Sequence, residues 1–345
     1  MKEKFSYKKT GVDIDLADNT KKEIYKIMET KSDKILHKKG AFASLYDASF
    51  PGYSHPVLVL KTEEPGSKQK LAFKYNRIEG ICYDMVNHLI NDIIVVGAKP
   101  LSVQDAIICG KMNKEVIKEI VRSIALACKE QDCILTGGET SEQPGVIDAG
   151  TYILTASIVG VVEKEKIIDG SKIEEKDRVI AVQSNGLHTN GYSLIRALID
   201  KNPGIVNKKI NGKQFLDVIL KSHKCYWKDF SDLFGMEGLN GIAHITGGGI
   251  RDNLKRILPD NIDARIDLNK IKTLPVFGFI KNEGNIDDSE MLRTFNMGAG
   301  MIIISKSKTA DNIINNLNNK GCNSYIIGDI TKGSGKVIFE NKLNY

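Results

Sequence analysis

Apolar and polar residues recur along the chain with two different periods. Apolar residues at i, i+3 and i+4 predict buried helices over residues 82–96 and 114–130. β-Branched and aromatic residues cluster between glycines, which predicts strands at 56–61, 103–109, 133–136 and 150–162. Strands and helices are therefore expected to mix within one α/β unit.

A charged segment, EKEKIIDGSKIEEKDR, follows Val162 and is the clearest boundary signal in the sequence. Beyond it a second α/β pattern begins with VIAV at 179–182 and continues with helices predicted near 190–200, 250–257 and 308–319. We therefore predict two domains, residues 1–165 and 170–345, joined near 163–173. The first forty residues are polar and suggest an extended arm followed by a turn opened by Gly40.

Length and charge limit the possible functions. A chain of 345 residues is long for one domain, which agrees with two. The formal charge of +6 comes from 41 lysines and only 8 arginines, and no basic run is interleaved with aromatics. Because nucleic-acid readers favour the planar guanidinium of arginine, we expect no nucleic-acid partner.

The cysteines and the apolar runs bear on location. Six scattered cysteines form no Cys-x-x-Cys pair, which is typical of reduced thiols in the cytoplasm. The basic N-terminus lacks the apolar segment of a signal peptide, and no apolar run approaches the ~18 residues of a membrane span. We expect a cytoplasmic protein without a membrane partner.

The predicted helix ICYDMVNHLINDIIVVGAKP carries a polar stripe on an apolar background. Asp84, His88 and Asn91 or Asp92 follow a helical spacing and share one face. The stripe either faces solvent or binds something, since unpaired carboxylates are costly to bury. Asp105, another acid among apolar residues, favours a shared metal cleft, in which Mg²⁺ would take carboxylate oxygens.

Two glycine segments are candidates for anion binding. CILTGGETSEQPG ends a strand with Gly137 and Gly138, whose backbone amides can approach an anion, and with Glu139, a weak signal by itself. AHITGGGIRDNLKRIL places Thr246 and the three glycines 247–249 directly before a helix, which favours a phosphate site.

Histidines are of two kinds. His188 in SNGLHTNGYSLIRAL lies at a predicted strand-to-helix turn, where it either serves acid–base chemistry or stabilises the turn, and Asn190 is a plausible helix cap. By contrast, His37, His55 and His223 have no acid partner at a useful spacing, so we assign them no role. The sequence lacks a dinucleotide fingerprint, a Walker motif and a nucleophile elbow.

Taken in order, several segments resemble the aminoimidazole ribonucleotide synthetase family, also called phosphoribosylformylglycinamidine cyclo-ligase. They span about residues 6–330 and read SYKKTGVDID, NDIIVVGAKPL, LTGGETSEQPG, VGVVEKEKIIDGS, SNGLHTNGYSLIR, AHITGGGIRDNLKRILP and EMLRTFNMGAGMIII. The family is similar in fold to ATP-using enzymes such as selenophosphate synthetase and thiamine phosphate kinase.

The resemblance implies a fold and an activity. The fold is a two-domain α/β (α+β) architecture, with an N-terminal ATP-binding domain that forms a β-barrel in a homodimer and a C-terminal α/β sandwich. The activity is an ATP- and Mg²⁺-dependent cyclisation of formylglycinamidine ribonucleotide in purine synthesis, in which the amide oxygen is phosphorylated before the ring closes.

The resemblance also implies roles for individual residues. Asn91 and Asp92 match the family's Asn-Asp pair near the metal-bound phosphates, and His244 suggests substrate contact or proton transfer. The implied catalytic residues are Lys68, Asp92, His188 and His244. The implied ATP- or phosphate-binding residues are Thr62, Gly66, Ser67, Asn91, Gly137, Gly138, Asn190, Thr246, Gly247, Gly248 and Gly249. The implied metal ligands are Glu63, Asp84, Asp92, Asp105 and Glu139.

One stretch departs from the family pattern. Where the family reads Gly-Thr-Asp-Gly-Val-Gly-Thr-Lys, this chain reads KTEEPGSK at 61–68. Alone the stretch favours a charged hairpin, whereas within the family pattern it is an altered nucleotide loop. Glu64 replaces a glycine, and Pro65 fixes φ and removes an amide donor.

Two other functions stay open for this reason. A non-catalytic nucleotide-binding paralogue would bind ATP without turnover. A related ATP-dependent kinase or synthetase would use another acceptor, although the segments around His188 and His244 match the cyclo-ligase pattern.

Overall fold

The computed structural model describes residue 11 and residues 14–28, 32–37 and 41–345. The chain divides into two compact units. The N-terminal unit comprises the chain up to Ile90 together with Lys99–Glu163, and the C-terminal unit comprises Asn91–Ala98 and Lys164–Tyr345. Among the described residues, no helix is long and apolar enough to cross a membrane.

The N-terminal unit contains a four-stranded sheet with helices beside it. The elements, in chain order, are α1 (Ile14–Ile27), β1 (Pro56–Glu63), α2 (Lys68–Lys74), α3 (Ile78–Ile94), β2 (Lys99–Cys109), α4 (Lys114–Glu130), β3 (Ile134–Glu142) and β4 (Tyr152–Glu163). The strand order is β1-β4-β2-β3, in which only β2 and β3 run parallel. The predicted strands and helices of this half are all present, with ends shifted by a few residues.

Burial explains why these segments adopt their structures. In α3 the side chains of Met85, Val86 and Leu89 are fully buried, so the helix is apolar around most of its circumference. The N-terminus of α4 is capped by Asn113, whose side-chain oxygen accepts hydrogen bonds from the amides of Glu115 and Val116.

Two predictions for the first seventy residues are wrong. The polar arm contains α1, a helix whose buried Ile24 and Thr20 lie on one side and whose Glu23 carboxylate pairs with Lys118 of α4 at 2.8 Å. The stretch from 61 to 68 is not a hairpin, because β1 ends at Glu63 and a short turn leads directly into α2. The SYKKTGVDID match from Ser6 falls largely outside the described residues, as does Gly40.

The C-terminal unit contains a six-stranded sheet of order β12-β9-β11-β5-β10-β8, antiparallel except for the β12–β9 pair. Its strands are β5 (Arg178–Gln183), β6 (Lys209–Ile210), β7 (Lys213–Gln214), β8 (Leu239–His244), β9 (Ile262–Asp267), β10 (Ala299–Ser305), β11 (Ser324–Lys332) and β12 (Val337–Glu340). Its helices are α5 (Tyr192–Lys201), α6 (Phe215–Ile219), α7 (Trp227–Phe230), α8 (Gly249–Lys255), α9 (Pro275–Gly284), α10 (Asp288–Thr294) and α11 (Ser307–Asn319). The short strands β6 and β7 form a separate two-stranded antiparallel sheet.

The last turn of α3 and the loop after it, Asn91–Ala98, belong to the C-terminal unit. The backbone of Ile168 donates a hydrogen bond to Val96, which fastens this segment there. The consequence for function is direct, since Asn91 and Asp92 lie in the same unit as His188 and His244.

Candidate functional site

A buried aspartate–histidine cluster lies in the C-terminal unit. Asp92 Oδ1 lies 2.7 Å from His244 Nδ1, and His244 Nε2 lies 3.1 Å from His223 Nε2. The His223 ring stacks on that of His188, with 3.8 Å between the ring centroids. All three histidines are buried: His188 and His223 are each 1% exposed, and His244 is 7% exposed. Four polar side chains from four separate segments therefore meet in one buried place.

The contact with Asp92 defines the protonation of His244. A carboxylate accepts hydrogen bonds, so Nδ1 of His244 carries the proton and Nε2 carries a lone pair. A carboxylate placed in this way also stabilises the imidazolium that forms when Nε2 takes up a proton. The pair has the chemistry of a general base.

The backbone holds His188 in an unusual conformation. Its φ is +62°, a left-handed value that costs a residue with a Cβ about 1–2 kcal/mol. A Cβ added to Gly300 of β10 would lie 2.8 Å from His188 Cε1 and 2.1 Å from the Tyr226 hydroxyl oxygen. Gly300 therefore makes the space that the His188 ring and Tyr226 occupy.

Asn91 has a different environment from the one that the sequence suggested. Its side-chain Nδ2 donates to the Lys224 carbonyl at 2.8 Å, and its Oδ1 accepts from the Tyr226 amide at 3.0 Å. The residue is fully buried. In this conformation the amide holds the 224–226 segment, next in sequence to His223, instead of facing a phosphate.

The glycine loop after β8 is organised by Asn253, which sequence reasoning missed. Asn253 Nδ2 donates to the carbonyls of Thr246, Gly247 and Gly249, and its Oδ1 accepts from the Thr246 hydroxyl. With these carbonyls bound to one buried amide, the loop has a fixed shape. Gly249 has a φ of +63°, and a Cβ there would lie 1.9 Å from a backbone oxygen.

Asn190 lies beside this loop. Its Oδ1 is 3.4 Å from the position of a Cβ on Gly247. Within the described part of the chain, no group forms a hydrogen bond with its buried Nδ2. Leaving such a donor unpaired costs about 1–3 kcal/mol, so the atom is a candidate ligand contact. It is not the helix cap that we predicted, because the residue before α5 is Gly191.

Asp105 is a buried acid of the N-terminal unit with a strongly raised pKa. It lies in β2 opposite Gly138 of β3, and a Cβ on Gly138 would lie 1.8 Å from Asp105 Oδ1. Burial raises the pKa of Asp105 from an ordinary 3.8 to about 7. Among the residues that the structure describes, none places a cation on this carboxylate, which makes Asp105 a candidate metal ligand.

Lys68 and Asp84 form a buried ion pair. Lys68 Nζ lies 2.9 and 2.8 Å from the two Asp84 carboxylate oxygens, and the side chains are 1% and 0% exposed. Burial lowers the pKa of Lys68, and the Asp84 charge opposes that effect. Each group neutralises the other, so in this conformation neither the predicted catalytic lysine nor the predicted metal ligand faces a ligand.

The turn between β1 and α2 contains the predicted nucleotide-loop residues, whose polar side chains contact neighbouring residues. Thr62 is exposed and shares a 2.7 Å hydrogen bond with Ser157 of β4. The Glu63 carboxylate pairs with Lys61 at 3.0 Å, and Pro65 is buried. Gly66 has a φ of +62°, a left-handed value that favours glycine at this position.

The five predicted metal ligands do not converge in this structure. In the described residues, no group of three potential ligand atoms contains Glu63, Asp84, Asp105 or Glu139. Glu139 is exposed and accepts a hydrogen bond from the Thr140 amide. Gly137 lies nearby, where a Cβ would meet the Ser44 hydroxyl at 2.7 Å.

An open cavity of about 630 Å³ in the C-terminal unit contains none of the predicted residues. It lies at the Leu239 end of β8, whereas His244 is at the other end of that strand. Three lysines and four acidic residues line it, among them Lys172, Lys306 and Glu174.

Sequence reasoning assigned no role to His223, and only the structure shows that it lies beside two other histidines. Its partners are 35 and 21 residues away in His188 and His244, so no local spacing could reveal them. Asn253 was missed because an asparagine within a predicted helix has no distinguishing pattern. Both residues act through contacts made only in the folded chain.

Comparison with known proteins shows what the chain is related to. Two family models match: AIR synthase related protein, N-terminal domain, over residues 53–162, and AIR synthase related protein, C-terminal domain, over 174–340. The phosphoribosylformylglycinamidine cyclo-ligase of Carboxydothermus hydrogenoformans is 40% identical over 97% of this chain and 99% of the relative.

Solved structures agree in fold. The hydrogenase maturation protein HypE of E. coli aligns with a TM-score of 0.70 and 13% identity, covering 94% of each chain. A HypE crystallised in complex with ATP aligns with a TM-score of 0.63 and 15% identity over 87% of this chain and 85% of that one. Identity near 40% along nearly the full length decides the relationship: the chain belongs to the phosphoribosylformylglycinamidine cyclo-ligase family.

Proposed function

We propose that the chain closes an imidazole ring, converting formylglycinamidine ribonucleotide and ATP into aminoimidazole ribonucleotide, ADP and phosphate. The observation that carries the proposal is the 40% identity to a named cyclo-ligase across 97% of this chain. The Asp92–His244 pair supplies a base of the kind that ring closure needs.

The reaction divides into two transfers. An amide oxygen is a poor leaving group, so it first attacks the γ-phosphorus of ATP. An O–P bond forms, and the bond from the γ-phosphorus to the β–γ bridging oxygen breaks to release ADP. The substrate's own nitrogen then attacks the carbon that bears the phosphorylated oxygen. A C–N bond forms, and the C–O bond breaks to release phosphate. The attacking nitrogen loses a proton, which we assign to His244 Nε2, with Asp92 stabilising the imidazolium.

The glycine loop is proposed to bind phosphate. Asn253 holds the carbonyls of Thr246, Gly247 and Gly249 inward. The Gly249 amide already donates to the Thr246 carbonyl at 3.0 Å, so we propose the amides of Gly247 and Gly248 together with Asn190 Nδ2 as the donors to an anion. This arrangement stabilises charge without reorganisation at the moment of transfer, which is the largest single effect in many enzymes.

The N-terminal unit is proposed to hold ATP and Mg²⁺. Asp105 fits a metal ion because it is buried, its pKa is raised to about 7, and Gly138 brings backbone close to it. Asp84 does not fit a metal ion in this conformation, because its carboxylate is paired with Lys68. When bound, Mg²⁺ would neutralise charge on the transferred phosphoryl group. We retain Glu63, Glu139, Thr62 and Ser67 as lesser candidates.

We further propose that the active form is a homodimer in the cytoplasm. Leu58 and Leu60 of β1 are 53% and 73% exposed and point to the same face of the four-stranded sheet. Neighbouring apolar side chains on a sheet face favour association. The six cysteines are free thiols, which suits a reducing compartment.

A turnover assay tests the activity. The protein is incubated with ATP, Mg²⁺ and formylglycinamidine ribonucleotide, and aminoimidazole ribonucleotide and ADP are quantified together. We expect equal amounts of both products, with loss of both in Asp92→Asn. Absence of aminoimidazole ribonucleotide even at enzyme-stoichiometric concentrations would refute the proposal.

One observation favours a second function, that of a nucleotide-binding paralogue without turnover. Lys68, the last residue of the altered 61–68 segment, is buried in an ion pair with Asp84 of α3, so its charge is already neutralised. In that case calorimetry would show ATP binding while no phosphate is released. Detection of product in the turnover assay excludes it.

A further inference from the structure

The three histidines of the C-terminal cluster are arranged as ligands for a transition metal. The ligand atoms of His188, His223 and His244 all lie within 4.8 Å of one another, and all three side chains are buried. We propose that this cluster binds one divalent transition-metal ion of the zinc type, at a site separate from the Mg²⁺ of the ATP reaction.

Distances support this proposal. Tetrahedral zinc with Zn–N bonds of about 2.0–2.1 Å places its ligand nitrogens about 3.3 Å apart. His223 Nε2 and His244 Nε2 are separated by 3.1 Å, so two ligands already have nearly the required spacing. A ligand nitrogen of His188 lies within 4.8 Å of both. Because the His188 ring stacks on the His223 ring with 18° between their planes, metal binding requires the His188 ring to turn out of this stack.

The second nitrogen of two of these rings has the partner that metal-binding histidines need. A histidine that binds a metal through one nitrogen donates a proton from the other to a carboxylate or similar group. Asp92 fills this position for His244 at 2.7 Å, and the Thr189 hydroxyl lies 3.5 Å from His223 Nδ1. The Asp92 carboxylate fixes the tautomer in which His244 Nε2 is available to a metal. The Thr189 hydroxyl can accept a proton from His223 Nδ1, so it is compatible with metal binding through His223 Nε2 once the hydrogen bond between the two Nε2 atoms is replaced.

The ligand chemistry limits the kind of metal. Neutral imidazole nitrogens suit Zn²⁺, Cu²⁺, Ni²⁺ and Fe²⁺, whereas Mg²⁺ and Ca²⁺ prefer oxygen. A second consequence rests on the proposed function, in which His244 Nε2 accepts a proton. The same lone pair cannot also bind a metal, so Zn²⁺ should inhibit the cyclisation.

The test measures metal binding without nucleotide or substrate, so its outcome is independent of turnover. The full chain is stripped with a chelator and titrated with Co²⁺ alone, followed by its visible d–d absorption. We expect one equivalent to bind with the band intensity of a four-coordinate ion. His223→Phe should abolish that band, whereas His55→Phe, at an exposed histidine of the other unit, should leave it unchanged.

Asp92→Asn provides a finer test. It retains the three ligands but removes the carboxylate on His244, so Co²⁺ affinity should fall by ~10–100-fold while one equivalent still binds. Equal Co²⁺ binding by His223→Phe and His55→Phe, or none by the wild type, would overturn the proposal.

The wild-type protein supplies a check that needs no variant. X-ray absorption at the zinc edge of the Zn²⁺-loaded chain counts imidazole ligands directly. The measurement uses the wild type, so it tests the proposal even if His223→Phe does not fold. Three imidazoles support the site, and two or fewer refute it.

Discussion

Replacing Asp105 with asparagine should stabilise the protein at neutral pH while removing its activity. The substitution keeps the shape of a side chain that packs against Gly138 but removes its charge. Burial raises the folded-state pKa of Asp105 from 3.8 to about 7. Because the folded chain holds this proton more tightly than the unfolded chain, folding becomes less favourable as the carboxyl ionises.

The size of the effect follows from that pKa difference. About three pH units, at 1.36 kcal/mol each, correspond to about 4 kcal/mol of lost unfolding free energy above pH 7. Relaxation around the buried charge reduces this value, so we expect about 2–4 kcal/mol. The wild type should lose stability relative to Asp105→Asn as the pH rises from about 4 to 7, and the difference should vanish below pH 4.

The assay is urea unfolding at several pH values. Far-UV circular dichroism follows the whole chain, and the fluorescence of Trp227, the single tryptophan, follows the C-terminal unit. Asp148→Asn, at an exposed acid of the same unit, is the matched control and should change neither stability nor its pH dependence. Adding ATP and Mg²⁺ should stabilise the wild type more than Asp105→Asn.

Either of two results would refute this reasoning. If Asp105→Asn is no more stable than the wild type at pH 8, the ionised Asp105 carboxylate does not lower the free energy of unfolding. If the two proteins differ equally at pH 4 and pH 8, the effect does not come from ionisation.

Four further substitutions test other parts of the structure. Asp92→Asn should lower turnover at least ~100-fold with an unchanged circular dichroism spectrum, and normal turnover would exclude the acid–base role. Asn253→Ala should weaken the binding of inorganic phosphate at least ~10-fold, since the glycine loop loses its hydrogen bonds. The measurement is the inhibition constant of added phosphate in the turnover assay, and an unchanged constant would contradict the role of the loop. Gly300→Ala should destabilise the chain by about 1–3 kcal/mol because its Cβ meets the Tyr226 hydroxyl, and an unaltered urea midpoint would contradict that contact. Leu60→Glu should shift the chain to a monomer in analytical ultracentrifugation, whereas an unchanged mass would argue against this sheet face as the interface.

Local patterns were sufficient to predict most elements. The helical period of apolar residues predicted α4 with the bounds that the structure has, and the clustering of β-branched residues predicted β2, which begins four residues earlier than expected. The family motifs nominated His188, Asp92 and His244, whose roles stay predictions. The predicted helix of 82–96 corresponds to α3, Ile78–Ile94, with ends shifted by a few residues. The error at α1 has a physical cause, because a polar helix whose buried side chains include Ile24 and Thr20 is stabilised by packing against α4 more than by its own pattern.

What the sequence determined, then, is the order of the elements, the two-part organisation and the family, because periodicity and glycine-bounded motifs are local properties of the chain. What only the tertiary structure decided is which polar side chains meet. Asp92 and His244 are 152 residues apart, His223 joins them from a segment with no acid nearby in sequence, and Lys68 turns toward Asp84. Burial makes these long-range contacts necessary, because a charged or imidazole side chain that is removed from water without a hydrogen-bond partner costs free energy. The fold, not the local sequence, decides which partner is near.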